Sequence, residues 1–328
     1  MEGKSSEDPL CAGGNWYITV KTRNDLIVNT LVMRSVTSSP SQFDSDQFKI
    51  GQRQSWNNAA VGWQDWWKTF ENAAAEVSDK LVELAGIKAG HQILDLATGT
   101  GEPALTSAKK IAGSKGHVLA TDISPQMLAI AKQRAAVLGL QDRVEFRESD
   151  AEILEISRSS FDAVLCRWGL MYFPHLDSTL TRIFDGLRSG GRFACAVWAS
   201  PAKVPLISLP MGIVIRELKI PAPSPGVPGP FALADIGILE SSMTKAGFKS
   251  IQTERLSVLF RFASVHDYIS YTKATAAPIK IILDKEPATR QEEIWTRISE
   301  VRNNYANNDD GSGSMDNECI CVVGTRKE

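Results

Sequence analysis

Short apolar runs alternate with amphipathic stretches between residues 93 and 198. Five of the runs have the length and apolar content of buried strands: Ile93–Ala97, Val118–Asp122, Val144–Arg147, Phe161–Arg167 and Arg192–Trp198. Three stretches between them have helical spacing: Pro103–Ile111, 124–138 and Leu176–Leu187. Strands and helices that alternate at this spacing predict a parallel sheet with helices on both of its faces.

The alternation stops at Pro201, and the pattern after it predicts a covering segment and two further strands. Prolines crowd residues 221–230, which predicts an extended loop. The remaining elements predicted in this region are a helix from Asp235 to Ala246 capped by Gly247, strands at Ile251–Phe262 and Cys319–Gly324, and helical patterning over 265–305. The chain is therefore predicted to be an α/β protein. Its sheet is doubly wound, mostly parallel and seven-stranded, with a helical lid insertion.

The part of the chain before the first strand divides at about residue 45. From Ser55 the pattern is helical, and a second helix is predicted from Glu76 to Ala85. Four tryptophans are predicted on one face of the first helix: Trp56, Trp63, Trp66 and Trp67. Residues 1–45 hold two strand-like runs at 16–20 and 26–33, and we interpret them as an N-terminal extension that need not be ordered. Residues 46–328 then form one domain, with lid or substrate segments at about 199–235 and 265–315.

The stretch from Ile93 to Pro103 combines a strand, a glycine turn and a helix start. Gly99 and Gly101 suit a tight turn where the backbone approaches a ligand closely. Pro103 suits the first turn of a helix, where its missing N–H costs nothing. A strand, a glycine turn and a helix in this order indicate a nucleotide site. Several nucleotides bind at such turns, so the acidic residues near the turn are needed to predict which nucleotide binds.

Three acids favour one nucleotide over the others. Asp122 ends the second strand, where a carboxylate can accept from ribose hydroxyls, although this alone fits NAD equally well. Asp95 lies inside an apolar strand, where a carboxylate without a partner is costly. It therefore either contacts a ligand or accepts from the backbone amides of the glycine turn. Asp150 follows the third strand at the ligand edge. S-adenosylmethionine carries an ammonium group, a ribose and an exocyclic amine, which suit three acids placed in this way.

From about Ser55 to its end, the sequence resembles the class I S-adenosylmethionine-dependent methyltransferases. The motifs that carry the resemblance are Asp-Leu-Ala-Thr-Gly-Thr-Gly at 95–101, Ala-Thr-Asp-Ile-Ser-Pro-Gln-Met at 120–127, Asp-Ala at 150–151, Phe-Asp-Ala-Val at 161–164 and Leu-Arg-Ser-Gly-Gly at 187–191. The most similar branch is the small-molecule group named after ubiquinone and menaquinone C-methylation. The resemblance implies a Rossmann-like methyltransferase fold, an S-adenosylmethionine cofactor and a small-molecule acceptor.

The resemblance also implies a set of cofactor-binding residues, namely Asp95, Gly99, Gly101, Asp122, Ile123, Met127, Asp150, Ala151, Cys166 and Arg167. Within this set, Asp122 would bind the ribose hydroxyls and Met127 would pack beside the adenine. Asp150 would accept a hydrogen bond from the adenine amine. The main-chain carbonyl of Cys166 or Arg167 would face the ammonium of the methionine portion.

Contacts with the acceptor are expected from the segments that the family motifs do not cover. Trp63, Trp168 and Phe231 are the substrate-binding candidates, and core packing is the alternative role for the tryptophans. A base is needed only if the acceptor must lose a proton. His175 and Tyr172, after the fourth strand, are the catalytic candidates, and His175 has a surface-loop position as its alternative. The apolar and aromatic surroundings predict an apolar acceptor such as a phenolic or prenylated ring.

Composition narrows the range of partners. The chain carries 36 basic and 38 acidic residues with no long run of one sign, which argues against a nucleic-acid partner. No apolar stretch approaches the length of a membrane span, and residues 1–20 lack the pattern of a signal peptide. No cysteine spacing suits a zinc site, so no metal is expected and the cytoplasm is the expected compartment.

Two other functions remain open at this point, and the oligomeric state is not predicted. The first is a NAD-dependent oxidoreductase, which shares the glycine turn and the acid after the second strand. The second is a protein that keeps the cofactor fold but uses it for binding or for a non-methylating reaction.

Overall fold

The computed structural model describes residues 43–221, 226–303 and 312–327. Within them, seven strands form one sheet: β1 (Gln92–Leu96), β2 (His117–Asp122), β3 (Val144–Glu148), β4 (Phe161–Arg167), β5 (Leu187–Trp198), β6 (Lys249–Phe262) and β7 (Gly313–Thr325). All seven predicted strands are confirmed. β7 begins six residues before the predicted Cys319, because it pairs with β6 as far as Phe262. The predicted strand-like runs at 16–20 and 26–33 lie outside the described residues.

The strand order places a ligand site at one edge of the sheet. The order is β3-β2-β1-β4-β5-β7-β6. Strands β1 to β5 pair in parallel, and β7 pairs antiparallel with both β5 and β6. The chain leaves β1 in one direction across the sheet, and from β4 it continues in the other direction. A parallel sheet binds its ligands at such a reversal, beyond the carboxyl ends of the strands.

Nine α-helices of the described residues surround the sheet: α1 (Ser45–Leu84), α2 (Ala104–Lys110), α3 (Pro125–Val137), α4 (Leu176–Gly186), α5 (Pro205–Leu218), α6 (Ile236–Ala246), α7 (Val265–Thr275), α8 (Ala277–Leu283) and α9 (Ala288–Asn303). Two predicted caps are confirmed. The Ser124 hydroxyl accepts from the amide of Met127 at the start of α3. Gly247 ends α6 with φ of 107°, a left-handed conformation that favours glycine.

The two predicted N-terminal helices are one continuous helix, α1, of 40 residues. The prediction separated them because the apolar pattern changes between Phe70 and Glu76. The residues in between, Asn72 to Ala75, contain no glycine or proline and include three alanines, so nothing interrupts the helix. The Asp44 carboxylate caps its start by accepting from the amides of Asp46 and Gln47.

The tryptophans of α1 do not all share one face, which corrects the prediction. Trp56 and Trp63 pack together beside Met127 of α3. Trp66 meets the edge of Tyr271 on α7, whereas Trp67 lies under the Arg134 guanidinium of α3. A helix advances by about 100° per residue, so Trp66 is rotated by roughly 80° from the line of the other three.

A buried ion pair fixes α1 to the sheet. The Arg167 guanidinium, at the end of β4, donates to both carboxylate oxygens of Glu71, at 2.8 and 3.3 Å, and to the Ser78 hydroxyl at 2.8 Å. The Arg167 and Glu71 side chains are 6% and 12% exposed. Water cannot replace either partner at this burial, so removing one of them leaves an uncompensated charge.

This pair yields a stability prediction. Glu71→Leu should lower the free energy of unfolding by about 3–5 kcal/mol, because it leaves the Arg167 charge buried without a counter-ion. The double variant Glu71→Leu/Arg167→Met should recover most of that loss, since it buries no charge. Urea denaturation of the three proteins measures both effects. A loss below about 1 kcal/mol in Glu71→Leu, within the range of surface ion pairs, would contradict it.

Candidate active site

A cavity of about 350 Å³ lies at the carboxyl ends of β1, β2, β3 and β4. Its volume is within the range of roughly 300–1,000 Å³ that is usual for ligand pockets. One part of its lining follows the strands and comprises Thr98, Gly99, Asp122, Ile123, Met127, Asp150 and Ala151. The other part is apolar and aromatic, and it includes Trp56, Trp63, Phe70, Trp168, Met171, Tyr172, Trp198, Leu206, Met211, Tyr271 and Ile279.

The two glycines of the turn after β1 have different roles. Both are left-handed, with φ of 56° at Gly99 and 107° at Gly101. A Cβ atom on Gly99 would meet nothing within 4 Å, and this residue lines the cavity. A Cβ atom on Gly101 would come within 3.0 Å of Leu105 and 3.2 Å of Ala131. Gly99 therefore leaves room for a ligand, whereas Gly101 allows the turn to pack against α2 and α3.

The carboxylate of Asp122 holds the turn and the start of α3. Its Oδ2 accepts from the Gly99 amide and its Oδ1 from the Ser124 amide, both at 2.8 Å. Asp122 is 7% exposed and lines the cavity. Burial raises the pKa of Asp122 to about 6, although the bonds from the two amides oppose the shift. Each oxygen keeps lone pairs for a further donor, so the carboxylate can bind ligand hydroxyls while it holds the turn.

Asp95 holds the backbone and does not line the cavity. Its Oδ2 accepts from the Ala104 amide at 3.0 Å, at the first residue of α2. The side chain has no exposed surface, and burial raises the pKa of Asp95 to about 7. Of the two roles left open by the sequence, the geometry favours the structural one, in which the carboxylate binds an amide after the glycine turn. The predicted contact of Asp95 with a ligand stays a prediction.

The loop after β3 carries a charged cluster. Asp150 and Ala151, two of the predicted cofactor-binding residues, line the cavity together with Glu152. Lys49 of α1 lies 2.9 Å from Asp150 Oδ2 and 2.5 Å from Glu152 Oε2. Lys49 also lines the cavity, but sequence analysis did not single it out. No local motif indicates a residue that reaches the site from more than 40 residues before the glycine turn.

Two non-glycine residues beside the strand reversal have left-handed backbones. Ala97 after β1 has φ of 54°, and Trp168 after β4 has φ of 58°. Gly169 lies between them, where a Cβ atom would come within 2.4 Å of the Ala97 Cβ. Such conformations cost on the order of 1–3 kcal/mol each and are concentrated at functional sites. They bring the ends of β1 and β4 close together at the cavity.

The two residues predicted at the end of β4 differ in position. Cys166 has no exposed surface and does not line the cavity, so only its main-chain carbonyl remains a candidate contact. The Arg167 side chain lines the cavity while it pairs with Glu71. Its guanidinium lies over the rings of Phe70 and Trp168, at 5.6 and 5.1 Å from their centroids. The Arg167 guanidinium, whose charge is balanced by Glu71, thus forms a polar boundary of the aromatic part of the cavity.

Of the two catalytic candidates, only Tyr172 lines the cavity. Tyr172 lines the cavity, with its ring 5.7 Å from that of Trp56. Burial raises the pKa of Tyr172 far above neutral, so its hydroxyl remains protonated. His175 is exposed and lies outside this cavity, and its main-chain amide donates to Glu152. The position of His175 matches its alternative, a surface-loop histidine, and gives no support for a base.

The substrate candidates are also separated. Trp63 and Trp168 line the cavity, whereas Phe231 does not, and its neighbour Pro230 does. Sequence analysis missed Phe70, Trp198 and Tyr271, which complete the aromatic lining. Tyr271 is on α7, about 80 residues after the last family motif, so its proximity to the cavity could not be read from spacing.

Two features are absent from the described ranges. No group of three or more His, Cys, Asp or Glu residues at 43–221, 226–303 and 312–327 could hold a metal ion. No helix among these residues combines the length and the apolar content that a membrane crossing needs.

Known proteins resemble part of this chain. Residues 87–208 match the family model described as a methyltransferase domain. Ubiquinone/menaquinone biosynthesis C-methyltransferase UbiE of Brucella canis is 39% identical over 106 residues, which are 32% of this chain and 39% of that protein. An uncharacterized protein of Mycobacterium tuberculosis is 36% identical over 146 residues, 44% of this chain and 49% of that protein. These similarities support a class I S-adenosylmethionine-dependent methyltransferase.

Two solved structures share the fold of this chain. YcgJ from Bacillus subtilis is 19% identical with a TM-score of 0.51, over 77% of this chain and 99% of that one. Haemonchus contortus phosphoethanolamine N-methyltransferase 2, in complex with S-adenosyl-L-methionine, is 16% identical with a TM-score of 0.52, over 88% of this chain and 61% of that one. The chain spans about two fifths to one half of the length of the curated relatives that it matches.

The cavity fits the cofactor of this family. The space beside Gly99 admits a ligand against the backbone, and Asp122 offers carboxylate lone pairs at the end of β2. Asp150 offers a second carboxylate after β3. This arrangement suits a nucleoside with a ribose and an exocyclic amine, and the family match does not favour the NAD-dependent alternative.

The open space beside Gly99 gives a prediction for cofactor binding. Gly99→Ala should weaken S-adenosylhomocysteine binding at least tenfold, because its Cβ enters the space for the ligand. Gly113→Ala is the matched control. Gly113 is also left-handed, with φ of 77° and nothing within 4 Å of the Cβ that alanine would add, but it does not line the cavity. Calorimetric titration measures both variants, and equal affinities would contradict the assignment.

The pKa of Asp122 gives a second prediction. An acid with a pKa of about 6 becomes protonated as the pH falls below 6, and it then loses acceptor capacity and charge. S-adenosylhomocysteine affinity should therefore fall about tenfold between pH 7 and pH 5. Asp122→Asn should bind more weakly at pH 7 and should lack this titration. Calorimetry across the pH range measures both, and an unchanged pH dependence in the variant would contradict it.

Proposed function

We propose that this protein transfers the methyl group of S-adenosylmethionine to a small, apolar or aromatic acceptor. The observation that carries the proposal is the division of the cavity. Carboxylates and a glycine turn suited to the cofactor form one part, and an aromatic lining forms the adjoining part. An apolar ring with few polar groups is the acceptor class that such a lining accommodates. The match to a quinone-pathway C-methyltransferase supports a ring acceptor.

We assign the cofactor contacts to the lining of the first part. The Gly99 backbone lies against the ribose and methionine portion, and Asp122 accepts from the ribose hydroxyls. Ile123, Met127 and Ala151 pack around the adenine, while Asp150 accepts from its amine. The main-chain carbonyl of Cys166 or Arg167 faces the ammonium. Asp95 and Gly101 act indirectly in this assignment, since they hold the turn and do not line the cavity.

The protein's part in the reaction is alignment and exclusion of water. When bound, the cofactor would supply an activated methyl group on a sulfonium, and this group passes in line to the attacking acceptor atom as the carbon–sulfur bond breaks and S-adenosylhomocysteine leaves as a neutral thioether. Trp56, Trp63 and Trp168 orient a planar acceptor and keep water from the reacting atoms. Tyr172 and Tyr271 carry phenols whose pKa values burial raises far above neutral, so they serve as hydrogen-bond donors. A proton that must leave the acceptor is therefore not taken by either phenol at neutral pH.

The acceptor is determined by elements outside the family match. That match covers residues 87–208, whereas α1 (Ser45–Leu84) supplies Trp56 and Trp63 and α7 (Val265–Thr275) supplies Tyr271. The similarity to known methyltransferases therefore supports the cofactor part of the proposal more directly than the acceptor part.

Turnover with labelled cofactor tests the function. The protein is incubated with methyl-labelled S-adenosylmethionine and, separately, with phenolic, prenylated-quinol and aliphatic amine acceptors. We expect S-adenosylhomocysteine and a labelled product with an apolar ring acceptor, and a large rate loss in Asp122→Asn. NAD⁺ in place of the cofactor, followed by hydride-transfer absorbance, is the control for the oxidoreductase alternative.

Two results would overturn the proposal. Failure of S-adenosylhomocysteine to raise the melting temperature would remove the cofactor assignment. Stabilisation by S-adenosylhomocysteine without turnover on any ring acceptor or on a metabolite extract would favour the binding or non-methylating alternative.

A further inference from the structure

Lys49, Asp150 and Glu152 form a charged cluster at the cofactor end of the cavity. Each of its two carboxylates binds a main-chain amide through one oxygen and Lys49 through the other. Asp150 Oδ1 accepts from the Glu152 amide at 2.8 Å, and Glu152 Oε1 accepts from the His175 amide. The second oxygen of each carboxylate faces the same atom, Lys49 Nζ. Each acid is thus fixed at one oxygen by the backbone and at the other by Lys49.

The three side chains of the cluster are largely shielded from water. The Lys49 ammonium therefore has to offset the repulsion between the two carboxylates. The Glu152 side chain is 3% exposed, and those of Asp150 and Lys49 are 19% and 17% exposed. Two carboxylates that contact one nitrogen are close enough to repel each other strongly. The pKa of Lys49 is raised, since the bonds to Glu152 and Asp150 outweigh the effect of burial, which would lower it.

Lys49 lies in the part of α1 that precedes the first buried residue of the helix. None of the described side chains from Ser45 to Gln54 on α1 is buried, and Ser55 is the first buried residue of the helix. The neighbouring turn offers a comparison. Arg53, one turn after Lys49, pairs with Glu148 at the end of β3, but its side chain is 49% exposed and does not line the cavity. Both cations link the start of α1 to the end of β3, and only Lys49 reaches the carboxylate assigned to the adenine amine.

We propose that Lys49 is a positioning residue for adenine recognition, which fixes Asp150 in the orientation that accepts from the 6-amino group. This inference rests on the proposed cofactor function. A carboxylate oxygen held in one orientation favours a ligand donor and disfavours a carbonyl at the same place, because the carbonyl brings lone pairs towards the carboxylate. Lys49 therefore sets the preference for a 6-amino purine over a 6-oxo purine, without itself contacting the reacting atoms.

Binding of two nucleosides tests the inference. S-adenosylhomocysteine and its deaminated analogue S-inosylhomocysteine differ at the 6-position. We expect the parent protein to prefer the amino form by roughly tenfold to hundredfold, as a charge-assisted hydrogen bond allows. Lys49→Met should weaken S-adenosylhomocysteine binding about tenfold and should bring the two affinities within a few-fold of each other. Lys49→Arg should restore the preference, and Arg53→Met, the matched control, should keep both affinities.

The outcomes separate this inference from the proposed function. If Lys49→Met weakens both ligands by the same factor, Lys49 only closes α1 over the site and the inference is wrong. The inference is also wrong if Lys49→Met keeps both affinities of the parent protein. If the parent protein binds neither ligand, the proposed cofactor function fails and the inference falls with it. Melting temperatures without ligand, expected to be similar in all four proteins, show that each variant is folded.

Discussion

The structure of the site depends on one carboxylate at the end of β2. Asp122 accepts from the Gly99 amide in the turn after β1 and from the Ser124 amide at the start of α3. It thereby fixes the conformation of the glycine turn and the direction in which the next helix leaves the sheet. The same carboxylate borders the cavity, so a ligand that binds it contacts an atom group already oriented by the backbone. Binding then requires little rearrangement, which favours affinity.

Charge in the interior supports this edge of the sheet. Asp95 anchors the first residue of α2, Arg167 pairs with Glu71 of α1, and Arg134 of α3 donates to the Thr100 carbonyl at 2.7 Å. Each of these contacts ends at the glycine turn, at the helix after it or at the end of β4. Buried charges add little net stability when they are paired. Here they connect the helix after the glycine turn, the turn itself and the end of β4, next to the left-handed residues Ala97 and Trp168.

The parts of the fold that local sequence determines were predictable, and the contacts between distant parts were not. Five apolar runs and the caps at Ser124 and Gly247 carry their own signals, because burial and capping act on neighbouring residues. The continuity of α1 was missed because a change in apolar pattern resembled a break. Asp95 was recognised as unusual, but its partner, the Ala104 amide, follows from the path of the turn. Lys49 and Tyr271 reach the cavity from remote helices, and no spacing in the sequence reveals such a meeting.

The helix α1 serves the two parts of the cavity at once. Its first turns carry Lys49 against Asp150, its middle carries Trp56 and Trp63 in the aromatic lining, and Glu71 pairs with Arg167 further along. A 40-residue helix behaves as one stiff body, since each residue is bonded to the turns before and after it. A shift of its N-terminal turns towards a bound cofactor therefore also moves the tryptophans that border the acceptor space. Cofactor and acceptor binding are for this reason expected to be energetically coupled in this fold, through a single element that contacts both.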